Sequence, residues 1–222
     1  GGVREGLFVM NVDGTDEAHL AAEGSEGTWS ADGSRIAFVS RADGFDDIWV
    51  MNADGSGAVN LTRTQSPSTV YPDNFAPSWS PDGLRLAFTS ARTGQFEIWI
   101  MNADGTSPER FSFGSDPSLY PAWSPNGATI AFTSDGEDVH LKPVAGGAAT
   151  WATTPSVNLT NSAGSQDVQA NWSPNGLRIA FLSDRAGRFD VYIVNTDGSG
   201  ILNLSNSPTS EEVLGPGQAW AR

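Results

Sequence analysis

The stretch Ser78–Ser112, SWSPDGLRLAFTSARTGQFEIWIMNADGTSPERFS, holds two turn signals and two apolar runs, and the chain writes nearly the same sentence several times. Trp-Ser recurs at Trp29, Trp79, Trp123 and Trp172, and Trp220 follows, at spacings of 50, 44, 49 and 48 residues. After each Trp-Ser comes a turn: Asp32-Gly33, Asp82-Gly83, Asn126-Gly127 and Asn175-Gly176. Asx-Gly pairs tolerate the positive φ of a tight hairpin. An apolar run comes next, RIAFVS from Arg35, RLAFTS from Arg85, TIAFTS from Thr129 and RIAFLS from Arg178. A second run, IWVMN, IWIMN or VYIVN, ends at a second turn, Asp54-Gly55, Asp104-Gly105 or Asp197-Gly198. A short last segment such as Val59–Thr62 closes the unit.

Each unit reads as four strands, A to D, joined by hairpins. The runs are too short and too rich in β-branched and aromatic residues for helices. They are apolar on both faces, with Ile36 and Phe38 on one and Ala37 and Val39 on the other. A small sheet that is apolar on both sides must be sandwiched between neighbours. Four-stranded units repeating every 40–50 residues or so and stacked face to face make an all-β fold, a β-propeller.

The pattern WSPDG, RLAF and IWIMNADG in register resembles the WD-repeat-like unit of TolB-type propellers, and the resemblance covers almost the whole chain. The third unit departs from it, with VHLKPV at Val139–Val144 and a Gly146-Gly147 turn. The resemblance implies an exported, non-catalytic interaction module, periplasmic or extracellular, that binds a protein, peptide or glycan partner through its loop-rich face or its channel. It also implies a monomer with no required cofactor.

The blades are expected at residues 27–75, 76–120, 121–168 and 169–215 of one domain spanning 1–222. A fifth, composite blade is expected from residues 1–26 plus 216–222. Its evidence is that Leu7–Ala21 matches strands C and D and Gly217–Arg222 matches strand A. Joining the termini in one blade removes exposed sheet edges. The composite lacks a strand B equivalent, so the alternative is a piece of the six-bladed propeller typical of the family.

The A–B and C–D turns are uniform, whereas the D–A connections vary in length, and variable loops on a rigid scaffold are where binding usually lives. The expected partner-binding residues are Tyr71, Asp73, Phe75, Tyr120 and Trp151. Trp151 sits in an insertion of the third unit, where an indole serves as a contact residue or as a plug over the blade edge. Asp73, Asp116, Asp167 and Glu212 come from successive D–A loops. If they converge on the axis, these carboxylates suit a divalent cation such as calcium, for which hard oxygen ligands are the only donors present.

With 12 Lys and Arg against 26 Asp and Glu, the net charge is −14, which opposes nucleic-acid backbones and anionic membranes. Cysteine is absent, excluding disulfides, thiolate metal sites and cysteine nucleophiles. No apolar run reaches the roughly 18 residues of a spanning helix. The opening GGVREG shows no signal-peptide pattern. Catalytic material is scarce. His19 and His140 both fall on outer strands, and no G-x-S-x-G, H-E-x-x-H or P-loop motif occurs. The alternative functions are a propeller detached from a larger hydrolase or peptidase, and a carboxylate-dependent hydrolase or lyase. Strand C opens on an acid in each unit, Asp47, Glu97, Asp138 and Asp190, and the arginines five residues earlier in two units suggest hairpin ion pairs. The Asn-Leu-Thr/Ser segments at Asn60, Asn158 and Asn203, and Asn171-Trp-Ser173, match glycosylation acceptors but read as by-products of the repeat.

Overall fold

The computed structural model describes residues 6–64, 74–134 and 137–206. A hairpin of β1 (Leu7–Val9) and β2 (Ala18–Ala21) leads into blade 1: β3 (Gly24–Trp29), β4 (Arg35–Ser40), β5 (Asp47–Asn52) and β6 (Val59–Asn60). Blade 2 is β7 (Asn74–Trp79), β8 (Arg85–Ser90), β9 (Glu97–Asn102) and β10 (Glu109–Arg110). Blade 3 is β11 (Leu119–Trp123), β12 (Thr129–Ser134), β13 (Asp138–Pro143), a short helix α1 (Ala148–Trp151) and β14 (Val157–Asn158). Blade 4 is β15 (Asp167–Trp172), β16 (Arg178–Ser183), β17 (Asp190–Asn195) and β18 (Leu202–Asn203). Every sheet is antiparallel in sequential order. Among the described residues no helix is long and apolar enough to cross a membrane.

The described residues thus form four four-stranded blades, not the five expected. The hairpin β1–β2 does stand where strands C and D of a preceding blade belong. Leu20 lies against Gly55 of blade 1 as Leu61 lies against Gly105 of blade 2, and Leu7, Leu20 and Ala21 pack on Ile36, Phe38 and Met51. The segments assigned to strand A of the composite blade, with Trp220, lie outside the described residues, so closure stays an expectation. Strand A of each blade also starts two or three residues before the expected boundary, because a bulge lets pairing continue upstream of the Trp.

The core lies between blades. Ala37, Val39, Ile48 and Val50 of blade 1 meet Trp79, Leu86, Phe88 and Met101 of blade 2, and similar clusters join blades 2 to 3 and 3 to 4. Burying one such Ile, Leu or Phe contributes about 1.5–3 kcal/mol. The Trp closing strand A ties neighbours together: Trp79 Nε1 donates to Thr28 O at 3.2 Å and Trp172 Nε1 to Ala122 O at 3.0 Å. Arg35 and Arg85, which open strand B of blades 1 and 2, lie over Trp79 and Trp123 of the next blade. The Ser after each Trp sets the turn. Ser30 Oγ donates to Asp32 and accepts the amide of Arg35, and Ser80, Ser124 and Ser173 do the same.

The acid opening strand C corrects the ion-pair expectation. Asp47 is fully buried and accepts from Asn60 Nδ2 (2.8 Å), Thr62 Oγ1 (2.6 Å), Thr64 Oγ1 (2.7 Å) and Asn74 Nδ2 (3.2 Å). It therefore clamps the end of strand D and the start of the next blade. Asp138 accepts from Asn158 and Thr160, and Asp190 from Asn203 and Ser205. The glycosylation-like triplets at Asn60, Asn158 and Asn203 are these clamps. In blade 2 both partners change, and Glu97 pairs with Arg110. The hairpin arginines go elsewhere: Arg92 lies over Trp99 and Phe88, and Arg185 pairs with Asp167.

Asp47→Ala should cost about 3 kcal/mol, because it strands several buried donors. In a chain of this size that lowers the melting midpoint by about 6–12 °C. Glu97→Asp and Arg110→Asn should each destabilise alone, and the double variant, which restores the pair of the other blades, should recover at least half the loss. A double-mutant cycle by chemical denaturation measures that coupling, and simple additivity would mean the pair is not a unit.

Candidate functional site: the channel cavity

Each strand A carries a bulge three residues before its Trp, seen as a register shift between Ser25 and Thr28, Phe75 and Ser78, Leu119 and Ala122, and Val168 and Asn171. Within each lies a non-glycine residue in the left-handed region: Glu26 (φ 51°), Ala76 (51°), Tyr120 (55°) and Gln169 (56°). A bulge bends the strand and re-aims its side chains. Here it turns four equivalent positions toward the channel.

These four residues line one end of a cavity of about 430 Å³. From there the wall follows strand A past Trp29, Trp79, Trp123 and Trp172 to Ala31, Pro81, Pro125 and Pro174 at the A–B turns. The cavity is therefore built from repeat residues on the side of the uniform turns. None of the described residues between strand D and the next strand A lines it.

The polar groups at the bulge end are few and poorly solvated. Glu26 Oε2 accepts the Ala76 amide across the blade boundary at 2.6 Å. Burial pushes the Glu26 carboxyl above its ordinary value, the Ala76 amide opposes this, and the charge of Asp46 adds to the rise. Burial also raises the Tyr120 hydroxyl, with the nearby Glu26 charge as a second cause. Gln169 Oε1 is buried and finds no hydrogen-bond partner among the described residues. The arrangement offers an acceptor, a phenol and an amide inside a wall of tryptophan and proline. That suits recognition of a donor-bearing group.

The expected site residues divide. Tyr120 lines the cavity, while Phe75 stacks edge-on against Phe96 and Tyr120 at 5.4 and 5.8 Å. Trp151 is 3% exposed, packs on Phe111 at 5.3 Å and donates Nε1 to Val144 O at 3.0 Å. It is a plug, and its assignment to partner contact is corrected. Asp167 is fully buried and held by Arg185 at 2.7 Å and Ser162 Oγ at 2.9 Å, whereas Asp116 is exposed on its loop. Tyr71, Asp73 and Glu212 lie outside the described residues, so calcium ligation by Asp73 and Glu212 remains an expectation. Among the described residues no group of three or more His, Asp or Glu is placed to hold a metal ion. His19 packs tilted against Phe8 at 4.8 Å, and His140 is buried beside Ser156. Gln169 and Ala76 escaped the sequence reading. Their signal was their common offset from the Trp, which becomes visible once Glu26 and Tyr120 are aligned to it.

The raised carboxyl of Glu26 has a pH consequence. The folded state holds that proton more tightly than the unfolded chain does, so ionising Glu26 costs stability as pH rises above the ordinary value of 4.5. Glu26→Gln keeps an acceptor for Ala76 and removes this cost. Its melting midpoint should match the wild type near about pH 4 and exceed it increasingly toward neutrality. A constant difference across the range would refute the assignment.

Residues 62–156 match the family model of the TolB beta propeller domain, PD40. The Tol-Pal system protein TolB of Anaeromyxobacter dehalogenans strain 2CP-C is 58% identical over 36 residues, 16% of this chain and 8% of that relative. The aligned segment is thus a small part of the curated relative's length. Among solved structures, a putative TolB from Agrobacterium tumefaciens superposes with a TM-score of 0.70 at 21% identity, covering 84% of this chain and 66% of that one. TolB from Acinetobacter baumannii gives a TM-score of 0.73 at 21% identity, over 89% and 48%. The family match thus covers residues 62–156, less than half of the chain, and the solved structures share its propeller fold over most of its length.

Proposed function

We propose that the chain is a non-catalytic binding module that admits a protein or peptide segment into the channel cavity, with Glu26, Tyr120 and Gln169 reading a donor-bearing side chain. The observation that carries this is the cavity itself: about 430 Å³, walled by the tryptophans and prolines of the repeat together with polar residues such as Thr28, Ser78 and Asn171, with Glu26, Tyr120 and Gln169 at one end. Binding sites are typically concave and mostly apolar with a few placed polar groups. A glycan is the other partner class such a wall admits. The non-catalytic reading draws on the cavity's residue types, since among the described residues neither histidine lines it and the one carboxylate that does, Glu26, is spent partly on the Ala76 amide. A periplasmic or extracellular address accords with the TolB-like family. The relative's name ties that protein to a Tol-Pal system, and what is carried over to this chain is only that a protein is its class of ligand.

Selection of a random-peptide display library on the immobilised protein tests this. Enriched peptides should carry a basic or amide residue. They should bind Ala122→Arg, which fills the cavity, at least about tenfold more weakly, since residues in desolvated pockets commonly carry 2 kcal/mol or more of binding energy. Binding to Asp116→Asn, on an exposed loop, should be unchanged. The reverse pattern would move the site to the loop face, and enrichment of no peptide alongside binding in a glycan array would replace the ligand class.

A further inference from the structure

Blade 3 places a lysine where the other blades bury apolar side chains. Lys142 pairs with Ile130 across β12 and β13 as Met51 pairs with Ile36, Met101 with Leu86 and Val194 with Ile179. Met51, Met101 and Val194 are almost wholly buried, and so is Lys142, at 4% exposure. A buried ammonium is costly unless it is paired and hydrogen-bonded. Its Nζ donates to Trp151 O at 2.8 Å and lies over the rings of Phe111 and Phe113 at 5.3 and 5.5 Å. Among the described residues no carboxylate lies within ion-pair distance of it. Arg110, also over Phe113, adds a second positive charge but already pairs with Glu97.

The lysine borders a cavity of about 260 Å³, separate from the channel. Its wall is hydroxyl-rich, with Ser112, Ser118 and Ser134 on one side and Thr154 and Ser156 of the blade 3 insertion on the other. Ser112 Oγ accepts the Ile98 amide, which leaves its proton to donate, and Ser118 and Ser134 face each other at 3.4 Å. The insertion that carries Trp151 thus does two things. It supplies the carbonyl that orients the ammonium, and it supplies part of the hydroxyl wall.

We propose that this cavity binds a small oxyanion, an inorganic phosphate or sulfate or a carboxylate, with Lys142 as its counter-charge and the serine and threonine hydroxyls as donors. Such an anion provides the missing partner of a cation buried in a protein whose net charge is −14. The site is independent of the channel reading.

The test uses the whole chain and three probes, phosphate, sulfate and acetate, each replacing chloride at constant ionic strength. At least one should raise the wild-type melting midpoint by about 2–5 °C at saturating concentration through binding linkage. Lys142→Met installs the residue of blades 1 and 2 and should lose that increment while keeping the general salt effect. Lys142→Arg, which keeps the charge, should retain part of it. Which probe acts separates inorganic oxyanions from carboxylates. Equal increments in wild type and Lys142→Met, or none with any probe, would overturn the proposal. Should Lys142→Met fail to fold, calorimetric titration of the wild type decides: a saturable 1:1 isotherm with one probe supports the site, and its absence with all three refutes it.

Discussion

A four-stranded sheet whose inner strands are apolar on both faces cannot stand alone, and everything else in this molecule follows from that constraint. Ile36 and Phe38 of β4 face the β1–β2 hairpin while Ala37 and Val39 face blade 2, so each blade completes the core of two neighbours. Stability is shared along the stack. The Trp closing strand A shows the dependence directly. Trp79 and Trp123 lie beneath a preceding blade and are 7% exposed, whereas Trp29, with no preceding strand A among the described residues, is 42% exposed. The residue type is the same, and its burial is set by the neighbour.

Polar groups in such a stack must be accounted for within the repeat, and the acid opening strand C shows how. A buried carboxylate is tolerable only when several donors surround it. Asp47 has donors from strand D and from the start of the next blade, so one side chain ties three segments. Blade 2 reaches the same end with Glu97 and Arg110. The longer acid and the longer donor change together within one chain, as a coupled pair would, although each alone would look like drift from the repeat.

The fold was legible because its information is periodic. Trp-Ser, the Asx-Gly turns and the two-sided apolar runs each recur in register, and their physical meaning is local. The hairpin Leu7–Ala21 was recognised as strands C and D for the same reason, and it packs there. What failed was non-local. Spacing in the sequence points Arg92 and Arg185 to acids five residues away, but Arg185 reaches Asp167 on the neighbouring strand A. Asp167 looked like a loop ligand because the bulge concealed that pairing extends five residues upstream of Trp172. Lys142 passed as part of a divergent run, because its strangeness appears only when its register partner is known.

The bulge also explains how a monotonous scaffold makes a particular site. A non-glycine residue in the left-handed region costs roughly 1–2 kcal/mol. Four blades accept that cost at the same position with four different side chains: Glu, Ala, Tyr and Gln. A glycine there would remove most of the strain, so relief of strain does not select these residues. The return is directional, because the bulge re-aims each side chain at the channel while the strand beyond it continues unchanged to the Trp. Scaffold and cavity lining are thereby separated within three residues. The Trp and the turn after it are held constant by packing against the neighbouring blade. The residue three positions earlier faces the cavity and differs from blade to blade, although Glu26 also holds the Ala76 amide and Tyr120 packs on Phe75. The lining of the channel therefore varies between blades while the Trp and its turn recur, and where a lining side chain also joins neighbours, as Glu26 joins blade 2 through the Ala76 amide, changing it acts on the stack as well.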